Sequence, residues 1–248
     1  MRIQPVQNNL YNYKIPNFKH WNRTVYKLGT NTGFENVVLR NNTGFYRDPD
    51  FWLDLAEFLE KKLKNIPKMN IYSYGCSDGS DPLSLVMTLL AHNRNSVLEK
   101  FSPIIAKDID SLAIARAKAG LYEIVAPEKE TIDRYTCGKF NKFFREYNGK
   151  SQLVPEANFE INPEATRHIK YHEANVLDDY KTIEPNNSIV LLRNMLPYLT
   201  PNYGEGYYRG GDWSVQKKFL NDLYNHLGEN SYIAVGGYDS HEMRREFE

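Results

Sequence analysis

Two short segments place residues that could bind a nucleoside at the ends of predicted strands. The first, Gly75-x-Ser77-x-Gly79, offers small residues that let a ligand approach the backbone, and a helix N-terminus follows it. The second is Asp108, 33 residues after Gly75, whose carboxylate can accept hydrogen bonds from both hydroxyls of a ribose. Either feature alone is more often a tight turn or a surface acid, but the pair predicts an adenosine-containing ligand. Because the turn is not the six-residue G-x-G-x-x-G pattern, S-adenosylmethionine (SAM) is expected rather than a dinucleotide.

Alternating strands and helices would hold these two segments at one edge of a sheet. Strands are predicted at Asn70–Tyr74, 103–107, Ser188–Leu192 and Tyr232–Val235, and helices at 48–66, 81–92, 110–119 and 212–227. This alternation predicts an α/β fold of the Rossmann-like class, with a mostly parallel, doubly wound sheet and helices on both faces. Ligands bind outside the carboxyl ends of the strands in such sheets, which is where the glycine turn and Asp108 fall.

The chain is predicted to divide into an N-terminal arm and one large domain. Residues 1–40 lack periodicity and suggest an irregular arm with short helices, whereas residues 41–248 form the α/β domain. Residues at about 124–167 interrupt the alternation with turn formers and a short basic, aromatic stretch. We interpret them as a small inserted subdomain.

Composition excludes several classes of function. The 248 residues carry 31 Lys and Arg against 31 Asp and Glu, which argues against nucleic acid or an anionic membrane surface as the main partner. No uncharged apolar run approaches the roughly 18 residues of a membrane-spanning helix. The two cysteines, Cys76 and Cys137, form no disulfide framework and suit a cytoplasmic protein. The pair His168-x-x-x-His172 has metal-like spacing but no cysteine nearby, so no metal site is predicted.

Five segments in order along the chain carry a more specific pattern. They are 41–48 (NNTGFYRD), 75–84 (GCSDGSDPLS), 107–110 (KDID) with 119–122 (AGLY), 175–177 (NVL) and 193–198 (RNMLPY). The set resembles the CheR family of protein-glutamate methyltransferases, whose motifs are N-x-T-x-F-F-R, G-C-S-T-G-E-E-P-Y-S, D-I-D with G-x-Y, N-L-L and R-N-x-x-x-Y. The family belongs to the class I SAM-dependent methyltransferases. The resemblance extends from residue 41 to about residue 238 when the following helix and strand are included.

The resemblance implies a SAM pocket and assigns a role to each matching residue. Asp108 would hold the ribose, and Asn175 and Val176 would frame the adenine. Arg47 and Tyr198 would lie nearest the transferring methyl group, with Arg47 orienting an acceptor carboxylate and Tyr198 giving a second hydrogen bond. The other expected cofactor-binding residues, around the glycine turn and the methionine part, are Asn41, Thr43, Gly75, Ser77, Gly79, Asp81, Arg193 and Asn194. From the residues alone, Arg47 could instead pair with Asp48 or Asp50, and Tyr198 could be an ordinary wall residue.

The sequence departs from the family pattern in three places. Ser80 and Asp81 replace the paired glutamates, the first of which normally faces the cationic end of SAM; Asp81 could take over that role. Only about 40 residues precede the first motif, so the full N-terminal helical domain of the family is expected to be lacking. Residues 202–212 (NYGEGYYRGGD) form a glycine-tyrosine loop that could act as a substrate lid or be a flexible surface loop.

Three functions follow as expectations. The first is SAM-dependent methylation of carboxylate side chains, such as glutamate, on a receptor-like protein, with S-adenosylhomocysteine as the product. The second keeps SAM but methylates a small molecule. The third is a non-catalytic SAM-binding or protein-interaction module.

Overall fold

The computed structural model describes residues 19–26, 36–199 and 214–236. The predicted glycine-tyrosine loop at 202–212 therefore lies outside the described residues. Within the described ranges, the strands in chain order are β1 (Lys19–Tyr26), β2 (Asn36–Thr43), β3 (Asn70–Tyr74), β4 (Ile104–Asp108), β5 (Leu121–Tyr122), β6 (Phe144–Glu146), β7 (Phe159–Ile161), β8 (Ile169–Glu173), β9 (Ser188–Leu192) and β10 (Tyr232–Val235). The helices are α1 (Pro49–Lys62), α2 (Ser80–Ala91), α3 (Asn95–Glu99), α4 (Ser111–Ala119), α5 (Ala126–Tyr135), α6 (Phe140–Phe143), α7 (Pro163–Thr166), α8 (Val176–Asp179) and α9 (Ser214–His226).

The central sheet has five strands in the order β10-β9-β3-β4-β8, and every neighbouring pair is parallel. This confirms the predicted α/β fold class with its parallel, doubly wound sheet. The chain leaves β3 towards β4 and β8 on one side, while β9 and β10 lie on the other side. The order therefore reverses beside β3, and the crevice at such a switch point is where ligands bind in this class of sheet.

Both faces of the sheet are covered, which explains the nearly uninterrupted apolar runs of its strands. On one face Ile71 and Leu191 belong to a large core that includes buried residues of α1 and α2. On the other face Tyr72 and Val190 pack with Phe219 and its neighbours on α9. Helix α2 is buried along its whole length, since α1 and α7 cover the side that faces away from the sheet.

The ends of the helices follow from single residues. In α4 the side chain of Asp110 accepts a hydrogen bond from the backbone N–H of Leu112, and Gly120 ends the helix with a φ of 63°. Helix α1 begins after Asp48, but the Asp48 side chain does not cap it. That carboxylate instead lies 3.3 Å from Arg193.

The N-terminal region differs from its prediction. Residues 19–26 and 36–40, expected in an irregular arm with short helices, form strands β1 and β2, which pair antiparallel along their whole length. The pairing joins two segments that are apolar and β-branched only in part, so each strand depends on its partner rather than on its own periodicity. How the chain divides into domains stays a prediction.

The segment predicted as an inserted subdomain holds a small antiparallel sheet in the order β5-β7-β6. Its aromatic residues Phe140 and Phe144 stack on each other, and Phe144 meets Phe45 edge to face. These rings belong to the same hydrophobic core as the central sheet. The insert is therefore packed onto the main domain and shares its core.

No helix in the described part of the chain is long and apolar enough to cross a membrane.

A partly buried ion pair joins α8 to the central sheet. The Nζ atom of Lys107 lies 2.5 Å from Oδ2 of Asp179, and the Tyr74 hydroxyl donates to the same oxygen at 2.5 Å. Burial alone would raise the pKa of Asp179, but the hydrogen bonds from Lys107 and Tyr74 hold that pKa below its ordinary value.

We predict that Asp179→Ala lowers the free energy of unfolding by about 3 kcal/mol, because it leaves the buried Lys107 ammonium without its partner. Thermal or urea unfolding monitored by circular dichroism measures the change. The matched control is Asp222→Ala, which breaks the exposed pair of Asp222 with Lys218 and should leave the midpoint nearly unchanged. Equal effects of the two substitutions would contradict the prediction.

Candidate functional site

The glycine turn between β3 and α2 has an unusual backbone. Gly75, Ser77 and Gly79 all have positive φ angles, of 63°, 49° and 87°. A Cβ atom on Gly75 would lie 2.9 Å from Cβ of Met195, and one on Gly79 would lie 2.5 Å from the Tyr171 hydroxyl. Both glycines are therefore required by backbone conformation and by neighbouring side chains, in addition to any close approach of a ligand.

Asp108 connects the end of β4 to this turn. Its Oδ2 accepts the backbone N–H of Ser77 at 2.7 Å, and its Oδ1 accepts that of Asp110 at 2.9 Å. Burial raises the pKa of Asp108 to about 6 despite these hydrogen bonds. Each carboxylate oxygen has a second lone pair, so the ribose role predicted for Asp108 remains open to it.

Two arginines from distant parts of the chain converge on Asp81 in the first turn of α2. Oδ2 of Asp81 lies 2.6 Å from Nη2 of Arg47 and 3.4 Å from Nε of Arg193. Arg193 also donates from Nη2 to the backbone carbonyl of Arg47 at 2.8 Å. The ion-pair partner that the structure gives Arg47 is thus Asp81, rather than Asp48 or Asp50.

The guanidinium of Arg193 is only 3% exposed, and aromatic rings cover it. Its Cζ atom lies 4.2 Å from the ring centroid of Phe51 and 4.6 Å from that of Trp52, both on α1. Such cation–π contacts stabilise a guanidinium that burial has removed from water. Helix α1 therefore fixes Arg193 at the carboxyl end of β9.

Three buried polar atoms on predicted site residues have no hydrogen-bond partner among the described residues. They are Oδ1 of Asp81, Nη1 of Arg193 and Oδ1 of Asn194. Unsatisfied buried atoms are uncommon in folded proteins and call for an explanation. The side chains of Asp81 and Arg193 lie 3.4 Å apart, so this acceptor and this donor match the ammonium and the carboxylate of an amino acid, whereas Oδ1 of Asn194 faces Gly236 after β10. The residues present therefore fit the methionine end of SAM, and Asp108 fits its ribose.

Asp78 is a member of the site that the sequence interpretation did not single out. Its Oδ1 accepts the backbone N–H of Ser80 at 3.0 Å, the hydroxyl of Ser80 at 2.6 Å and the hydroxyl of Thr43 at 3.4 Å. Burial is the main reason that the pKa of Asp78 lies above its ordinary value. The sequence signal that could have revealed this residue is that Asp78 stands where the family motif has threonine.

The two residues expected at the adenine lie at the same edge of the sheet. The N–H of Ala174 donates to the Asp108 carbonyl at 2.9 Å, which places the following residues beside the end of β4. Asn175 caps α8, accepting the N–H of Leu177 and donating to Asp178. Val176 is buried.

For Asn41 and Tyr198, the structure gives the backbone position within the fold. Asn41 lies in β2 opposite Trp21. Tyr198 lies in a 3₁₀ turn (Leu196–Leu199), where its N–H donates to the carbonyl of Met195. Contacts thus join the glycine turn, Thr43, Arg47, Asp81, Asp108 and Arg193, and the binding and catalytic roles of all the predicted residues stay predictions.

The thiol of the cysteine within the turn has low reactivity. Cys76 is 2% exposed, and burial first, then the charges of Asp108 and Asp78, raise the pKa of its thiol well above the ordinary value. A thiol in this state is a poor nucleophile. The other cysteine, Cys137, is exposed.

Comparison with known proteins identifies relatives over most of the chain. A family model described as "CheR methyltransferase, SAM binding domain" matches residues 41–248. The chain is 25% identical over 207 residues to a protein named "Chemotaxis protein methyltransferase" from Vibrio anguillarum, covering 83% of this chain and 66% of the relative. A protein of the same name from Borreliella burgdorferi is 22% identical over 244 residues, covering 90% of this chain and 75% of the relative. These matches confirm the resemblance that the five motifs indicated.

The chain spans about two thirds of the length of the first of these relatives. A further relative, the "Chemotaxis protein methyltransferase" of Listeria innocua, is 24% identical over 192 residues, which are 74% of this chain and 62% of that protein.

We predict that Asp108 makes the stability of the protein depend on pH. Because its folded-state pKa is raised from 3.8 to about 6, the group stabilises the fold most at low pH and loses that contribution as the pH rises through 6. Relative to Asp108→Asn, the free energy of unfolding of the unaltered protein should fall by about 2 kcal/mol between about pH 4.5 and about pH 7.5. Urea unfolding across that range measures the difference, and parallel curves for the two proteins would show the prediction to be wrong.

Proposed function

Because the chain belongs to the CheR methyltransferase family through its SAM-binding domain, we propose that it transfers a methyl group from SAM to a carboxylate oxygen of a protein. A glutamate side chain is the proposed acceptor, S-adenosylhomocysteine is the product, and the cytoplasm is the proposed location. The names of the relatives suggest a protein of a chemotaxis pathway as the substrate. The observation that carries the proposal is the pair of unpartnered buried atoms on Asp81 and Arg193, whose side chains meet at the switch point of the sheet.

The site divides into an adenosine half and an amino-acid half. Asp108 would accept the ribose hydroxyls, with Asn175 and Val176 beside the base. Oδ1 of Asp81 would accept a hydrogen bond from the ammonium, Nη1 of Arg193 would donate to the carboxylate, and Asn194 follows Arg193 in this half of the site. The orientation of the Arg193 guanidinium is fixed, because the rings of Phe51 and Trp52 cover it and the backbone carbonyl of Arg47 accepts a hydrogen bond from its Nη2.

SAM supplies an activated methyl group on a positively charged sulfur. A carboxylate is already nucleophilic at neutral pH, so transfer to it needs no general base from the protein. The residues of the chain have two tasks, to hold both reactants in an attacking geometry and to exclude water. We assign the acceptor side to Arg47 and Tyr198. The pair with Asp81 fixes the Arg47 side chain before any substrate arrives.

We expect S-adenosylhomocysteine and SAM to bind with micromolar dissociation constants in calorimetric titration. Asp108→Ala should weaken both by at least about tenfold, because the hydrogen bonds of a charged acceptor to the ribose are lost. Asp108→Asn, which keeps the size of the side chain, separates this loss from a rearranged turn, and Asp222→Asn controls for overall charge. Absence of binding to well-folded protein at millimolar ligand would refute the proposed function.

We expect Tyr198→Phe to lower the rate of methyl transfer by about tenfold, the value of one hydrogen bond made in the transition state, with little change in affinity for S-adenosylhomocysteine. Transfer is measured as base-labile release of labelled methanol, which marks a methyl ester. A product stable to base would point to a different acceptor. Binding without turnover on any candidate protein would favour a non-catalytic module.

A further inference from the structure

Three carboxylates surround the glycine turn, and they differ in how their oxygens are used. Asp81 is paired with two arginines, and both oxygens of Asp108 accept backbone N–H groups. Asp78 makes all of its side-chain hydrogen bonds through Oδ1. Within the described part of the chain, its Oδ2 has no hydrogen bond and the carboxylate has no ion-pair partner.

These charges do not balance within the described residues of the site. With Asp48, which pairs with Arg193, four carboxylates lie around two guanidinium groups, those of Arg47 and Arg193, so negative charge is in excess. Burial is the first cause that raises the pKa of Asp78, and the charge of Asp81 raises it further, so these two carboxylates repel each other although Arg47 attracts Asp78 more strongly. A cation placed against both would remove this repulsion.

The sequence of the turn differs at two of these positions from the family motif that it resembles. The family motif has threonine at position 78 and glutamate at position 80, whereas this chain has Asp78 and Ser80. The two exchanged side chains contact each other, since the Ser80 hydroxyl donates to Asp78 at 2.6 Å. Relative to that motif, this chain lacks the carboxylate at position 80 and has one at position 78. The charge of the turn is therefore the same, but it lies two residues earlier.

We propose that Asp78 binds the ammonium group at the amino-acid end of the cofactor, together with Oδ1 of Asp81. This inference rests on the proposed function and assigns a residue to it. An ammonium has three donors, and Oδ2 of Asp78 and the unpartnered Oδ1 of Asp81 offer two acceptors at the start of α2. Ser80 and Thr43 orient Asp78 by occupying its other oxygen.

A merely structural role for Asp78 would depend on Oδ1 alone. That oxygen accepts the N–H of Ser80 directly before α2, in the manner of a turn-stabilising aspartate. Asparagine can make the same contact, so Asp78→Asn keeps the turn while removing the charge and the second carboxylate oxygen. The substitution therefore separates ligand binding from folding.

The test is calorimetric titration with two ligands that share the adenosine half. S-adenosylhomocysteine carries the ammonium, and 5′-methylthioadenosine lacks the whole amino-acid end. Asp78→Asn should weaken binding of S-adenosylhomocysteine by about tenfold or more and leave that of 5′-methylthioadenosine unchanged. Asp222→Asn, at an exposed pair remote in the sequence from the turn, should change neither.

A variant that moves the charge back gives an independent arm. Asp78→Thr alone should bind S-adenosylhomocysteine weakly, and adding Ser80→Glu should restore affinity to within about threefold of the unaltered protein. Thermal unfolding confirms that each variant is folded.

The outcomes separate this inference from the proposed function. If Asp78→Asn binds S-adenosylhomocysteine as the unaltered protein does, or loses affinity for both ligands equally, Asp78 does not bind the ammonium. No gain from Ser80→Glu in folded protein would also count against it. If the unaltered protein binds neither ligand, the proposed function fails, and this inference fails with it.

Discussion

The carboxylate of Asp81 holds together three parts of the chain that are far apart in sequence. It lies at the start of α2 and pairs with Arg47, which follows β2, and with Arg193, which follows β9. Removing three charges from water is costly, and a single carboxylate compensates two guanidinium groups only in part. The rest of the compensation comes from Asp48, from the rings of Phe51 and Trp52, and from the helix N-terminus, which favours a negative charge. The geometry of the site is therefore set by a buried electrostatic balance.

Contacts from neighbouring strands hold the glycine turn. Asp108 accepts the N–H of Ser77, and the phenol ring of Tyr171 closes off the space beside Gly79. A turn with three residues at positive φ would be costly if it were left to its own conformational preferences. The neighbouring strands thus supply the constraints, and little ordering of the backbone is left for a ligand to impose.

The sequence predicted the framework better than the details of the site. Strands such as Ser188–Leu192 were predictable because they are buried on both faces and so are almost purely apolar. Helix α4 was predictable because Asp110 and Gly120 mark its ends. The pairing of β1 with β2 was not, since two weak strands stabilise each other only through contacts that no local pattern records.

Within the site, residue types were predictable and partners were not. Arg47 could have paired with neighbours in sequence, yet its partner is 34 residues away. The role of Asp78 depends on Ser80 and Thr43 together, and only their geometry distinguishes it from a surface acid. The roles that the family resemblance implies for the site residues, Asn41, Asn175 and Tyr198 among them, stay predictions.

The contrast between the two cysteines has a practical consequence. Cys76 is shielded and protonated inside the turn, whereas Cys137 is exposed just after α5 in the inserted segment. A maleimide fluorophore added to the folded protein should therefore attach at one position without any engineered cysteine. The molecule therefore has its own site for an optical reporter, in the inserted segment and beside His92, which follows α2.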